Sequence, residues 1–263
     1  MSLELFKDRT FCINLKERTD RLEVVSEDLR KVGLLPYTEF YHSERSKVSG
    51  AVGCWTSHIS VMRLARDRGL DWVLVFEDDL LFEEDLMKRN LDKLLAFLPE
   101  FLKRTDWGTI FLGHAPVAAE APIHTDGDFR VYRTCTTLAH AYIANLKCDD
   151  IKKIINVPLP TVDVIQNAKS IYHIDQTFAD QTVQYAIYPM FVFQRPEAGS
   201  DNDWGYAELF RSQNTPEACR NHEELVIRYP MPIFKYQLLN AVPHVLFRLA
   251  PQLVFGKFML YKI

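Results

Sequence analysis

Short apolar runs bounded by turns alternate along this chain with segments whose apolar residues recur every three or four positions. Residues 10–15, Thr-Phe-Cys-Ile-Asn-Leu, are β-branched and aromatic and read as a buried strand. Leu22, Val25, Leu29 and Val32 follow at helical spacing, with Asp20 as a candidate N-cap and Gly33 as the stop. Residues 37–41 suit the next strand. Ile59, Met62, Leu64 and Ala65 then predict a second helix, which Thr56 or Ser57 would cap and Gly69 would end. Residues 72–76, Trp-Val-Leu-Val-Phe, form a continuous apolar run, as expected of a central parallel strand covered on both faces. That run stops abruptly at Glu77-Asp78-Asp79. A third helix is predicted over about residues 84–98, carried by Leu91, Leu94, Leu95 and Leu98. Residues 108–112, 139–146 and 185–193 are further strand candidates, with helices over 149–155 and after His173. Alternating strands and helices predict an α/β fold with a mainly parallel central sheet.

Composition narrows the function. With 263 residues, 48% of them hydrophobic, the chain can bury a full core in one large domain or two small ones. Its 31 Lys+Arg against 35 Asp+Glu leave a net charge of −4, which argues against nucleic acid as a partner. The five cysteines are odd in number, widely spaced and without a CxxC pair, which speaks against a disulfide framework or a thiolate zinc site. Cys12 reads as a small buried hydrophobe. The first residues mix acids with apolar positions unlike a signal peptide, and no apolar run reaches the length of a membrane span. A reducing, cytoplasmic location is therefore the expectation.

The end of the chain differs from the rest. No acid follows Glu224, whereas Arg228, Lys235, Arg248, Lys257 and Lys262 are basic and Pro230, Pro232, Pro243 and Pro251 interrupt the segment. Residues 1–210 are read as the main domain and 211–263 as a basic, apolar extension. Residues 225–263 suit peripheral contact with an anionic membrane surface. Packing on the domain, or on another subunit of a homo-oligomer, is the competing reading.

Four constellations carry chemistry, each with an ordinary alternative. Glu77-Asp78-Asp79 closes a buried strand, and ligands of open α/β sheets bind outside the carboxyl ends of strands. Mutually repelling carboxylates there suit Mg²⁺ or Mn²⁺ shared with substrate phosphates. If the strand continues, Glu77 and Asp79 face the same side. The alternative is a solvated strand end whose acids favour a helix dipole. Gly50-Ala-Val-Gly-Cys-Trp-Thr-Ser57-His58 offers a tight backbone and an anion-friendly helix start, or an ordinary loop-to-helix joint. In His173-Ile-Asp175-Gln, Asp175 is either a helix cap or a general base. Asn14, Arg18 and Arg21 after the first strand suit phosphate, or surface ion pairing. Ser200-Asp201-Asn202-Asp203 reads as a loop that can bring a further carboxylate to a metal. His140 and His173 read more simply as core or surface histidines.

In combination these blocks resemble glycosyltransferase family 25. The resemblance rests on CINLKERTDRLE (12–23), GAVGCWTSHISV (50–61) and RGLDWVLVFEDDLLF (68–82). A distal series completes it: WGTIFLG (107–113), HAYI (140–143), IDQ (174–176) and YPMFVFQ, closing in Ser200-Asp201. It spans about residues 10–205. It implies a GT-A type, Rossmann-like nucleotide-sugar-binding fold in a single domain. It also implies a UDP-sugar donor, usually UDP-galactose, Mn²⁺ (or Mg²⁺), and inverting transfer of a hexose to a glycan, glycolipid or glycoprotein. Lipopolysaccharide biosynthesis is the family context. Carried onto this chain, Glu77-Asp78-Asp79 takes the DxD-like role. Asp79 would hold the metal with Glu77, and Asp201 would be an additional ligand. Asn14, Leu15, Arg18 and Arg21 would border the nucleotide, Ser57 and His58 would line the donor side, and Asp175 would be the base. Two other functions compete: a non-catalytic nucleotide-sugar-binding domain, and a metal-dependent phosphohydrolase using the same acids.

Overall fold

The computed structural model describes residues 3–159, 173–195, 215–228 and 233. Strands β1 (Thr10–Leu15), β2 (Thr38–Ser43), β3 (Trp72–Glu77), β5 (Thr109–Asp126), β6 (Phe129–Asn145) and β7 (Gln184–Tyr188) form one six-stranded sheet. Its order is β2-β1-β3-β6-β5-β7. β1 runs parallel to β2 and to β3, and β5 runs parallel to β7, while β6 is antiparallel to β3, β5 and β7. Every strand except β6 therefore points the same way, as the alternating sequence pattern predicts. Short strands β4 (Leu80–Phe82) and β8 (Val192–Gln194) pair antiparallel in a second sheet.

The helices are α1 (Thr19–Lys31), α2 (Gly50–Asp67), α3 (Glu84–Phe101), α4 (Asp149–Asn156), α5 (Ile174–Gln181) and α6 (Pro216–Arg228). Two apolar layers sandwich the sheet, and strand alternation sorts residues between them. Cys12, Trp72, Leu74 and Phe76 join Val25 and Leu29 of α1 and Leu94 and Leu98 of α3 on one face. Phe11, Ile13, Val73 and Val75 join Trp55, Ile59 and Met62 of α2, with Ile151 of α4 and Phe178 of α5, on the other. Burying each such Leu, Ile or Phe contributes about 1.5–3 kcal/mol.

Helix ends follow local chemistry in part. Gly33 and Gly69 sit at φ 76° and 75°, conformations that favour glycine, and both stop their helices as predicted. The starts differ from prediction. Arg18, not Asp20, occupies the N-cap of α1, and Asp20 lies in the first turn, where it favours the helix dipole. The α2 helix begins at Gly50, capped by Ser49, whose side chain accepts from Val52 N at 3.3 Å. Thr56 and Ser57 are therefore inside the helix, and Ser57 Oγ donates back to Gly53 O at 2.8 Å.

Two strand predictions also change. Residues 108–112 and 139–146 are only the ends of a long, bulged β5–β6 hairpin that turns at Gly127 (φ 63°). Residues 185–193 are two strands, β7 and β8, in different sheets. Pro189 lies between them and offers no N–H to a ladder. Gly113 of β5 is tightly enclosed: a Cβ there would run into the Val192 carbonyl and the His140 imidazole.

The 210/211 domain boundary falls outside the described residues, but part of the proposed extension belongs to the fold. Helix α6 packs on the sheet and buries Glu223 completely. Tyr132 Oη donates to Glu223 Oε1 at 3.3 Å, Met190 N donates to Oε2 at 3.2 Å, and His114 Nε2 lies 3.2 Å from Oε1. Among the described residues, no helix is long and apolar enough to cross a membrane.

Candidate nucleotide-sugar site

A cleft of about 120 Å³ opens at the carboxyl ends of β1, β2 and β3, lined among others by Leu15, Ser43, Gly53 and Glu77-Asp78-Asp79. This is where a largely parallel sheet presents ligands. Parity dictates how the acids fan out. Glu77 continues the side of Val73 and Val75 and so meets α2. Asp78, the first residue past the strand, meets α1 through Arg21. The strand ends at Glu77, so the alternation that would align Asp79 with Glu77 does not reach Asp79.

Glu77 is engaged by α2. His58 Nε2 lies 2.9 Å from Glu77 Oε1, and Cys54 Sγ donates to the same oxygen at 3.9 Å. Burial alone would raise the Glu77 pKa, but the His58 bond and the surrounding positive groups hold it below the usual range. His58 is fully buried, and its Nδ1 is 2.9 Å from the Tyr142 hydroxyl.

Asp78 is engaged by α1 and β1. Arg21 Nη1 donates to Asp78 Oδ1 at 2.9 Å and Asn14 Nδ2 to Oδ2 at 2.8 Å. Arg21 and Asp78 are both nearly buried, with side chains 9% and 8% exposed. Burial nonetheless outweighs these partners and leaves the Asp78 pKa raised. Asn14 also donates to Arg18 O at 3.1 Å and lies 3.2 Å, through Oδ1, from His42 Nδ1. Asn14 and Arg21 thus act on the cleft by holding Asp78.

Asp79 is differently placed. Its Oδ1 is buried and has no hydrogen-bond partner, and its Oδ2 has Gln194 Nε2 at 3.4 Å. Burial, followed by the charges of Glu77 and Asp78, pushes its pKa well above the ordinary carboxylate value. An orphaned, buried oxygen among three acids suits a hard divalent cation.

The remaining predicted residues divide. Leu15, Arg21, Ser57 and His58 line the cleft. Arg18 pairs with Asp20 in solvent, Nη2 to Oδ2 at 2.8 Å. Ser57 and His58 lie in the second and third turns of α2, so the predicted helix-start geometry belongs to Ser49 and Gly50 instead. Asp175 lies in the first turn of α5 and is not the cap, which is His173. Its Oδ2 accepts from Leu138 N at 3.1 Å and its Oδ1 from Gln176 N at 2.8 Å. Leu138 has the left-handed φ of 68°, so Asp175 holds a strained backbone position. His140 is a core residue: burial lowers its pKa to about 4, and its Nε2 donates to Val192 O at 3.2 Å. Asp201 lies outside the described residues.

Three contributors to the site escape the sequence reading: Cys54, Tyr142 and Gln194. Cys54 was legible in principle, since it precedes His58 by one helical turn. Tyr142 and Gln194 arrive through strand pairing, and no local signal marks them.

Residues 35–110 match the sequence profile described as Glycosyltransferase family 25 (LPS biosynthesis protein). Inactive glycosyltransferase 25 family member 3 of Mus musculus is 33% identical over 96 residues, 36% of this chain and 16% of that protein. Procollagen galactosyltransferase 1 of Danio rerio is 30% identical over 141 residues, 44% of this chain and 23% of that protein. The chain thus spans less than a quarter of the length of these relatives. A crystallised glycosyltransferase involved in glycosylation of the major capsid of PBCV-1 aligns with TM-score 0.40 and 9% identity, over 65% of this chain and 74% of the other. The match over residues 35–110 contains both the Ser57-His58 block and the Glu77-Asp78-Asp79 strand end, so this stretch of the chain is similar to glycosyltransferase family 25.

Proposed function

We propose that this chain is an inverting glycosyltransferase that moves a hexose, galactose first among the candidates, from a UDP-sugar to a hydroxyl of a glycan, glycolipid or glycoprotein. The observation that carries the proposal is the partnerless, buried Oδ1 of Asp79 at the carboxyl end of β3. In this reading Asp79 holds Mn²⁺ or Mg²⁺, and Glu77 and Asp78 supply the surrounding negative field. Asp201 remains the proposed additional ligand. When bound, the ion would neutralise the charge that builds on the departing diphosphate. A volume of about 120 Å³ suits the diphosphate end of the donor, not a whole nucleotide sugar, since such sites usually exceed ~300 Å³.

The chain's own groups do the rest. Arg21, braced by Asp78, lines the cleft as a cation toward phosphate oxygens. Asp175 takes the acceptor hydroxyl proton on a carboxylate oxygen while the acceptor oxygen attacks the anomeric carbon. Its orientation by two backbone N–H groups supports that role. A single displacement inverts the configuration and needs no covalent intermediate on the protein.

Thermal shift with UDP-sugars, with and without Mn²⁺, and mass spectrometry of products over an acceptor panel test this reading. Wild type should be stabilised by donor only with the ion. Asp79→Asn should lose both that effect and transfer while staying folded. Full transfer by this variant, or with the ion chelated, overturns the proposal. A second reading, donor binding without transfer, is favoured by the internal engagement of Glu77 and Asp78 and by a relative whose name calls it inactive. Asp175→Asn separates the two. It should bind donor like wild type and lose turnover if the chain transfers, and should change nothing if wild type already binds without transfer.

A further inference from the structure

Cys54, His58 and Glu77 form a group whose only part in the proposed transfer is the negative field of Glu77. Cys54 and His58 stand one turn apart on α2, so their side chains share a face. Glu77, the last residue of β3, projects onto that face by strand parity. One donor atom from each of the three lies within 4.8 Å of the other two. His58 Nδ1 is held 2.9 Å from the Tyr142 hydroxyl, which leaves Nε2 turned toward Glu77. Locking one imidazole nitrogen in this way is how proteins orient a histidine for metal through the other.

We propose that Cys54, His58 and Glu77 bind a zinc-class divalent cation at a site separate from that of Asp79. A sulfur, an imidazole nitrogen and a carboxylate oxygen select Zn²⁺ or Co²⁺ over Mg²⁺ or Mn²⁺. Cysteine spacing argued against a site of paired thiolates, and this site needs only one. Bond lengths of roughly 2.0–2.3 Å put ligand atoms about 3.5 Å apart, so the His58–Glu77 pair opens from 2.9 Å while Cys54 Sγ closes on Glu77 from 3.9 Å. On binding, the Cys54 thiol releases its proton to solvent and the sulfur–metal bond replaces it. All three residues line the cleft, which gives the ion a route in from solvent. Occupancy would pin α2 to the end of β3 and give the cleft a second cation of different chemistry.

Cobalt titration of the full, chelator-stripped chain tests the site with a readout independent of transfer. One Co²⁺ should bind per chain with a thiolate-to-cobalt charge-transfer absorption, displaced by Zn²⁺ and not by excess Mg²⁺. Cys54→Ser should abolish the absorption, whereas Cys148→Ser and Cys219→Ser should retain it. Glu77→Gln should weaken Co²⁺ binding by more than about tenfold. Asp79→Asn should leave the absorption intact, which separates this site from the hard-cation site. The proposal falls if wild type shows no such absorption, if it survives Cys54→Ser, or if Mg²⁺ removes it.

Discussion

Glu223 and Asp79 are both carboxylates drawn into the interior, and the protein treats them in opposite ways. Glu223 is fully buried, with Tyr132 and Met190 N donating to its two oxygens and His114 beside Oε1. Asp79 keeps one buried oxygen with no partner and sits beside two more acids. A buried acid that is fully satisfied binds elements together; here it fastens α6 to the sheet. A buried acid left short of partners holds its proton more tightly or, under the proposed function, takes a cation. Burial alone therefore does not separate structure from function, but the count of donors does.

The largest test of this contrast is Glu223→Ala. It strips an acceptor from Tyr132 and Met190 N and removes the group beside His114, so unfolding in urea should show a loss of about 3 kcal/mol or more. A loss below ~1 kcal/mol would mean that α6 is not fastened there.

Next in size is the pH response of the metal-free protein. The folded pKa of Asp79 lies well above its ordinary value of 3.8, so the folded state holds a proton that the unfolded chain gives up. Stability should accordingly fall as pH rises above that value toward the folded pKa. Asp78, also raised, adds to the fall, whereas Glu77, lowered, opposes it. Asp79→Asn should flatten the fall and raise the melting temperature at neutral pH, and Mn²⁺ should do the same to wild type. Melting curves with the same slope in wild type and variant would remove Asp79 as its source.

Smaller effects probe the braces. Asn14→Ala takes one donor from Asp78 and should cost about 1–2 kcal/mol, measured by urea unfolding, with weaker donor-induced thermal stabilisation. Tyr142→Phe removes only the hydroxyl that orients His58 and should cost about 1 kcal/mol. If Tyr142→Phe matches Asn14→Ala in effect on donor binding, the α2 brace matters as much as the α1 brace.

Much of this was legible in the chain. The run from Trp72 to Phe76 identified a strand covered on both faces, and the acids after it marked the end at which the cleft opens. Gly33 and Gly69 stopped their helices because only glycine takes their backbone conformation cheaply. Local periodicity does not show the β5–β6 hairpin, because Pro116 and Pro122 interrupt its pattern, although its two-residue loop, Gly127-Asp128, is a recognised hairpin signal. Local signals put the start of α2 too late, because Ser49, an equally good cap, precedes a glycine, a residue that suits a loop.

Local order thus determined the element types, the mainly parallel sheet and the acidic strand end, because each depends on periodicity and turn chemistry within a few residues. Only tertiary structure decided what each acid does. Glu77 meets His58, Asp78 meets Arg21 and Asn14, and Asp79 keeps an unpartnered oxygen. Those outcomes depend on which helix covers which face of β3, and the partners come from 19, 57 and 64 residues away in the chain. A carboxylate's partners, and hence its proton affinity and its use, are set across space by that packing and not by the residues beside it.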